Sequence, residues 1–199
     1  MKQPISLIAM MLLISTIQAQ DIKLNPPQKS GGKMLMETLS GRRSERAFVK
    51  KEMPVQMLSD LLWAANGFNR TDRRTAPTAS NRQELELYVM FDSGVYFYDA
   101  KQNILTLIEK GDFRETLGQP NITNNAAVTI IMVADMGKTV PKYGYMDSGN
   151  ISQNIYLYAE SEGLGTVARG SFKQEELSKV LKLTGKQEVT LVQPVGFLK

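Results

Sequence analysis

The 199-residue sequence contains no cysteine and no histidine. Without cysteine the chain can form no disulfide and cannot carry a lipid-modified cysteine, so its stability must come from packing. Without histidine, Ser-His-Asp and Cys-His catalysis, histidine-rich zinc sites and the usual proton shuttle near neutral pH are excluded. We therefore predict no metal site and favour a bound cofactor, because a cofactor brings its own reactive atoms.

Long apolar runs are also scarce, and the clearest one lies at the amino end. Lys2 precedes an apolar run from Pro4 to Ile17, which is shorter than the ~20 residues that a membrane-spanning helix needs. Such a run is typical of a secretory signal peptide. We predict that residues 1–19 are a signal peptide cleaved near Ala19, that the protein is exported to the periplasm, and that the mature chain has no membrane span. An uncleaved membrane anchor is the alternative.

The charge is mild: the net value is +4, and loss of the single charge of Lys2 with the signal peptide leaves +3. The basic residues are scattered rather than interleaved with aromatic residues. We therefore expect no nucleic-acid surface, and anionic small ligands fit better. With 42% hydrophobic residues, a chain of this length favours one domain with one core.

The chain divides into an arm and a folded domain. Residues 20–33 contain Pro26-Pro27 and Gly31-Gly32, a composition typical of an extended arm, and the domain is placed at residues 34–199. Within the domain, apolar spacing predicts helices at residues 34–40, 55–65, 112–118, 147–162 and 174–183. Strands are predicted at residues 85–91, 95–98, 104–108, 126–134 and 189–195, with 126–134 central and buried on both faces.

This order of elements predicts an α+β fold with a mostly antiparallel central sheet flanked by helices. Asp147 or Ser148 is the predicted cap of the fourth helix. The apolar residues of that helix do not keep to one stripe, so we expect it to be covered on several sides, one of them by a subunit partner. A loop before it holds Lys142, Tyr143 and Tyr145, which either border a substrate site or serve packing and solvent contact.

The first candidate motif is the arginine-rich run at residues 42–46, directly after the first predicted helix. Arginine presents a planar fork of donors that suits bidentate binding of phosphate, and it stays charged at physiological pH. The alternative is a structural role, because basic residues at a helix carboxyl end complement the helix dipole.

The second and third motifs are a polar turn and a glycine-rich segment. Residues 77–83 lie immediately before a strand and offer backbone amides, hydroxyls and a carboxamide, which can bind phosphate or the amide-like edge of a flat ring. The alternative is an ordinary polar turn. In residues 162–172, glycines let a backbone approach a flat ring closely. A helix cap explains Gly163 but leaves Gly165 and Gly170 unexplained, and the spacing does not match a Rossmann fingerprint.

Together and in this order, the motifs resemble the FMN-dependent nitroreductase superfamily, including its peptide thiazoline and oxazoline dehydrogenase branch. The resemblance implies that FMN phosphate and ring are held by Arg42, Arg43, Ser44 and Arg46. It implies a contribution from the other subunit by Pro77, Thr78, Ala79, Ser80, Asn81 and Gln83. The backbone that faces the flavin N5 would be that of Ala168, Arg169 and Gly170.

The sequence departs from the family pattern in two places. The chain ends at Lys199 without the usual turn and basic tail, so Lys199 is the candidate replacement for the basic contact to phosphate. Glu84-Leu85 stands where the family commonly has Pro-Trp, which puts packing at the flavin edge in doubt.

The resemblance implies a homodimer with FMN at its interface and two-electron transfer, as hydride through flavin N5, to small molecules such as nitroaromatics or quinones. NAD(P)H is an uncertain electron donor, because it is scarce outside the cytoplasm. The alternatives are an exported flavin-binding or carrier protein without turnover, an azoline-type dehydrogenase, and a structural domain with degenerate motifs.

Overall fold

The computed structural model describes residues 20–199, so the predicted signal peptide lies outside the described residues. Eight strands form one sheet: β1 (Ile22–Lys23), β2 (Phe48–Val49), β5 (Leu85–Met90), β6 (Gly94–Asp99), β7 (Ile104–Lys110), β8 (Val128–Asp135), β9 (Leu164–Thr166) and β10 (Gln187–Leu198). Their order in the sheet is β1-β7-β6-β5-β8-β10-β2, and β9 pairs with β10. Every pairing in this sheet is antiparallel. A separate small hairpin joins β3 (Phe68–Arg70) to β4 (Arg73–Arg74).

Five α-helices accompany the sheet in the described part of the chain. They are α1 (Leu35–Gly41), α2 (Val55–Asn66), α3 (Pro120–Thr123), α4 (Pro141–Ser161) and α5 (Gln174–Val180), with short 3-10 turns at Ala79–Asn81 and Arg114–Leu117. The predicted α+β class with an antiparallel sheet is therefore confirmed. No helix in residues 20–199 has the length and apolar character needed to cross a membrane.

Strand β8 lies at the centre of the sheet because both of its faces are apolar. Ile130 and Met132 belong to the core cluster that includes buried residues of α2 and α4, while Ile131 and Val133 face a second cluster with Leu177 of α5. All four β8 side chains are fully buried. Alternate side chains of a strand point to opposite faces, so helices cover the sheet on both sides, as predicted for residues 126–134.

The amino-terminal arm is part of the packed structure. Ile22 and Lys23 pair with β7 at the edge of the sheet, and the side chain of Leu24 is buried in the larger core cluster. Further along, the Gln28 amide donates to the carboxylate of Asp60 in α2 at 2.7 Å. Pairing at the edge of a sheet satisfies the backbone of a segment even when proline and glycine lie nearby. The composition of the arm therefore did not reveal that it packs against the domain.

The start of α4 differs from the sequence-based prediction. The helix begins at Pro141 rather than near Asp147, and its amino-terminal cap is Val140. Proline at the first helical position is a recognised start signal. The backbone N–H at that position makes no hydrogen bond within a helix, so its absence in proline costs nothing. Asp147 and Ser148 consequently lie inside the helix, and so do the residues that were predicted to form a loop, Lys142, Tyr143 and Tyr145.

Two smaller helices are shorter in the structure than the sequence predicts. Residues 112–118 form only the 3-10 turn at Arg114–Leu117, and the helix predicted to reach residue 183 ends at Val180. Lys182 has a φ of 55°, a left-handed conformation that interrupts a right-handed helix.

Candidate functional site

The hydroxyl of Tyr156, on α4, connects two segments that are far apart in the sequence. It forms a 2.8 Å hydrogen bond with Ser44 Oγ of the arginine-rich motif. It also accepts a 2.9 Å hydrogen bond from the backbone N–H of Ala168 in the glycine-rich motif. The guanidinium of Arg42 lies over the ring of the same tyrosine, 4.5 Å from its centroid. One buried aromatic side chain therefore joins the first and third motifs.

A backbone contact strengthens this junction. The N–H of Glu45 donates to the carbonyl of Thr166 at 2.9 Å. At Gly165, a Cβ atom would come within 2.4 Å of the Leu198 side chain and 2.9 Å of Cβ of Glu45. Only glycine allows the arginine-rich segment and the end of β10 to approach this closely, which explains the second glycine of the motif.

The arginines of the first motif differ in how far the protein itself uses them. Arg42 Nε is buried and has no hydrogen-bond partner within residues 20–199. Arg43 forms an ion pair with Glu45. Arg46 is exposed. A buried donor without a partner costs free energy, so Arg42 is the arginine whose geometry best fits an external acceptor such as a phosphate or a flavin carbonyl.

In the glycine-rich motif, two of the three candidate amides are already engaged. The Ala168 N–H donates to Tyr156, and the Arg169 N–H donates to the carbonyl of Val192 at 2.9 Å. Gly170 has no such backbone bond within the described residues, and a Cβ atom there would meet nothing within 4 Å. Gly170 is therefore the amide that remains accessible to a ligand.

The side chain of Arg169 serves the protein's own backbone. It is 7% exposed, and its guanidinium donates to the carbonyls of Ser171 at 2.9 Å and Gly118 at 3.4 Å. Burial lowers the pKa of Arg169. This side chain fixes the loop after Gly170 rather than pointing to an open surface.

The second motif is attached to the other half of α4. The Ala79 N–H donates to the carboxylate of Asp147 at 2.8 Å, and Asn150 Nδ2 donates to the carbonyl of Pro77 at 3.2 Å. Asp147 and Tyr156 are nine residues apart on one helix, which is about 13 Å along its axis. Within one chain, the structure joins motifs one and three but holds motif two at a distance from them.

Internal hydrogen bonds also shape the second motif. The Gln83 N–H donates to Thr78 Oγ1 at 2.9 Å, and the Asn81 and Gln83 side-chain amides both donate to the carbonyl of Asp72. Ser80 is exposed in the 3-10 turn. The motif is thus an ordered loop that leaves part of its polar surface accessible.

Lys199 lies beside the first motif. Strand β10 pairs antiparallel with β2 in a register that sets Phe197 opposite Val49 and Leu198 opposite Phe48. The paired residue Phe48 is two positions from Arg46, and the exposed Lys199 directly follows Leu198. The backbone at Lys199 therefore lies near the arginine-rich segment.

Comparisons with known proteins identify the family of this chain. The Nitroreductase family model matches residues 39–197. The chain belongs to the nitroreductase family. A Methanocaldococcus jannaschii protein with the provisional name of nitroreductase is 31% identical over 182 residues, covering 81% of this chain and 90% of that protein.

Solved structures agree with this membership. A Ralstonia eutropha JMP134 protein, provisionally named a nitroreductase, is 33% identical with a TM-score of 0.84, over 91% of this chain and 90% of that chain. The FMN-dependent nitroreductase of Clostridium difficile R20291 is 20% identical with a TM-score of 0.59, over 82% of this chain and 87% of that one, and shows the shared fold alone.

Membership confirms the predicted resemblance and makes the protein a flavin-dependent oxidoreductase of the nitroreductase family. The roles of its individual residues toward a flavin stay predictions. Sequence reasoning missed Tyr156 and Asp147, which organise the site from α4. A polar hydroxyl among the apolar residues of a buried helix was the available signal for Tyr156, and Asp147 was assigned to a helix cap instead.

We expect Tyr156→Phe to destabilise the protein by about 1–3 kcal/mol, because it leaves the Ala168 N–H without its acceptor. The measurement is the free energy of unfolding in denaturant. Tyr158→Phe, on the same helix, removes a single 3.1 Å hydrogen bond to the carbonyl of Met57 and is the matched control. An equal or smaller loss for Tyr156→Phe would show that the junction does not depend on this hydroxyl.

Proposed function

We propose that the protein is an exported FMN-dependent oxidoreductase that transfers two electrons to small, flat acceptors such as nitroaromatics or quinones. The observation that carries the proposal is the junction at Tyr156. It brings the unpartnered Arg42 Nε to the same region as the open backbone at Gly170. Cationic donors and an accessible amide are the groups that an anionic, ring-containing cofactor requires.

The residues present fit FMN. Arg42, Arg46 and Lys199 offer positive charge for its phosphate, and the Gly170 N–H offers one donor for the N5 edge of its ring. When bound, FMN supplies the two-electron chemistry through N5. The lack of a Cβ at Gly170 leaves the space that a flat ring needs for close approach to the backbone.

The chain's own contribution is placement and electrostatics. Arg42 forms no ion pair with a described residue, so its charge is not neutralised by the protein. A fixed positive charge favours a ligand that gains negative charge on reduction, and it needs no reorganisation at the moment of transfer. This mode of action suits a chain without histidine or cysteine, because no side chain has to act as nucleophile.

We further propose a homodimer in which the second motif completes the flavin site of the partner. Two observations support it. The motif lies about 13 Å along α4 from the Tyr156 junction in its own chain. In addition, α1 and the residue before it expose large apolar side chains, namely Met34, Leu35, Met36 and Leu39, which a monomer would leave in water.

The primary experiment is the absorption spectrum and turnover of the purified protein. We expect bound FMN and reduction of a nitroarene or quinone once NADH, NADPH or dithionite has reduced the flavin. Comparison of the three reductants identifies the usable donor. Arg42→Ala is expected to lower FMN affinity at least about tenfold, because a charge-assisted contact is lost.

Lys101→Ala, which removes the same charge from the exposed hairpin between β6 and β7, is the control and should bind FMN as the parent does. Full FMN occupancy in Arg42→Ala would contradict the assigned anchor. Bound FMN without turnover with any reductant and acceptor would instead favour a flavin carrier.

Mixed dimers test the shared site. Arg42→Ala damages motif one, and Asn81→Ala damages motif two. If each site combines motif one of one subunit with motif two of the other, a co-expressed mixed dimer regains one intact site and about half of the FMN occupancy. Both homodimers should remain poor binders. If each site is built within one chain, the mixed dimer contains no intact site and recovers nothing.

Export is tested by fractionation of a bacterial host that expresses the full chain. We expect the protein in the periplasmic fraction, beginning near Gln20, because the apolar run from Pro4 to Ile17 fits a cleaved signal. A chain lacking residues 2–19 should stay in the cytoplasm. Membrane-bound, uncleaved full-length protein would support an amino-terminal anchor.

A further inference from the structure

The carboxyl group of Glu84 is a buried group that the proposed flavin chemistry does not use. Glu84 lies between the second motif and strand β5, and its side chain is 0% exposed. Neither of its carboxylate oxygens has a hydrogen-bond donor within residues 20–199. An ionised carboxylate in that situation is costly, because it has lost water and gained no donor in exchange.

A second carboxyl group adjoins it from α4. Asp147 is 6% exposed and lies within hydrogen-bonding reach of the Glu84 side chain. Burial raises the pKa of Glu84 above its usual range, and Asp147 raises it further, while the interaction with its own backbone N–H and the cation of Arg82 lower it. Two adjacent buried carboxylates repel each other, which favours retention of a proton on Glu84.

The other groups around this pair compensate its charge only in part, with Asn150 Nδ2 lying 3.5 Å from Asp147 Oδ1. The Arg82 guanidinium lies 3.5 Å from Thr139 Oγ1. At the end of β8, the Asp135 N–H donates to the backbone carbonyl of Glu84. The carboxylate of Asp135 is bound by the Gly137 N–H and by Lys138. No described cation forms an ion pair with Glu84 or Asp147.

The loop attached to Asp147 has an unfavourable backbone conformation. Ser80, Asn81 and Gln83 have φ values of 55°, 53° and 51°. Residues other than glycine adopt this region at a cost, and such conformations persist only where the surroundings hold them. Two hydrogen bonds from α4 hold the loop: the Ala79 N–H donates to Asp147 at 2.8 Å, and Asn150 Nδ2 donates to the carbonyl of Pro77 at 3.2 Å. Asp147 is the one of these two anchors that also adjoins Glu84.

We propose that Glu84 and Asp147 share one proton, and that this proton makes Glu84 a positioning residue for the second motif. Neutral Glu84 donates to Asp147, and the remaining negative charge of Asp147 holds the Ala79 N–H. When Glu84 loses the proton, two carboxylates repel each other inside the protein and the anchor of the loop weakens. The site thereby becomes sensitive to alkaline pH.

The direction of the stability effect follows from linkage. The pKa of Glu84 is higher in the folded chain than in the unfolded chain, so the folded state binds more protons in the interval between the two values. Stability is therefore greatest at low pH within this interval and falls as pH rises through the folded value. The consequence for FMN rests on the proposed function, whereas the shared proton itself does not.

The test compares the purified parent protein with two variants, Glu84→Gln and Glu175→Gln. Glu175 is an exposed glutamate of α5, and its variant serves as the control. Glutamine keeps a donor toward Asp147 at every pH. Infrared spectra are recorded at neutral and at alkaline pH and subtracted. The parent and the control should show the carbonyl stretch of a neutral carboxylic acid at neutral pH, and Glu84→Gln should not. Absence of that band in the parent would overturn the proposal.

FMN titrations provide the functional readout. From about pH 6 to about pH 9.5, the parent and Glu175→Gln should lose FMN affinity by about tenfold or more, and Glu84→Gln should stay nearly flat. Thermal unfolding should show the same contrast, with Glu84→Gln losing less stability than the parent as pH rises. Parallel pH profiles for the parent and Glu84→Gln would refute the positioning role.

Failure of the proposed function gives a different result. If the parent binds no FMN at any pH, the flavin assignment falls. The infrared band and the pH dependence of unfolding then still decide whether Glu84 and Asp147 share a proton.

Discussion

The site depends on the two hydrogen bonds made by the hydroxyl of Tyr156. Ser44 is 112 residues away in the sequence and Ala168 is 12 residues away, yet both contact this one atom. The tyrosine is held in place because Ile151, Ile155 and Ala159 fix the same helix in the apolar core. The packing of α4 thus fixes Tyr156, and Tyr156 in turn fixes the arginine-rich segment. Without this hydrogen bond, the segment would be a solvated loop.

The same helix also separates the motifs of the proposed site within one chain. Asp147 anchors the second motif, while Tyr156 anchors the other two, and the rigidity of the helix fixes their separation. In a symmetric dimer, an element that is displaced in its own chain can meet the complementary motifs of the partner, and the symmetry repeats the arrangement twice. Exposed apolar side chains on α1 give such an assembly a surface to bury.

Much of the fold could be predicted from local patterns, because the runs rich in β-branched and aromatic residues in β5 and β6 and the continuous apolar run in β8 reflect burial in the sheet. The start of α4 could not, since Asp147 and Ser148 are typical cap residues and compete in the sequence with the start signal of Pro141. The three candidate motifs were found from residue types alone. Their connection through Tyr156 and Asp147 was not, because hydrogen bonds between distant segments leave no periodic trace in a sequence.

The absence of histidine gives the Glu84–Asp147 pair its significance. Histidine is the side chain that ordinarily changes charge near neutral pH, and this chain has none. A carboxyl group can move upward toward that range only if the fold removes its water and places a like charge beside it. Glu84 meets both conditions at the position where the family pattern commonly has proline. Burial can therefore provide a pH response that the composition of the chain does not suggest.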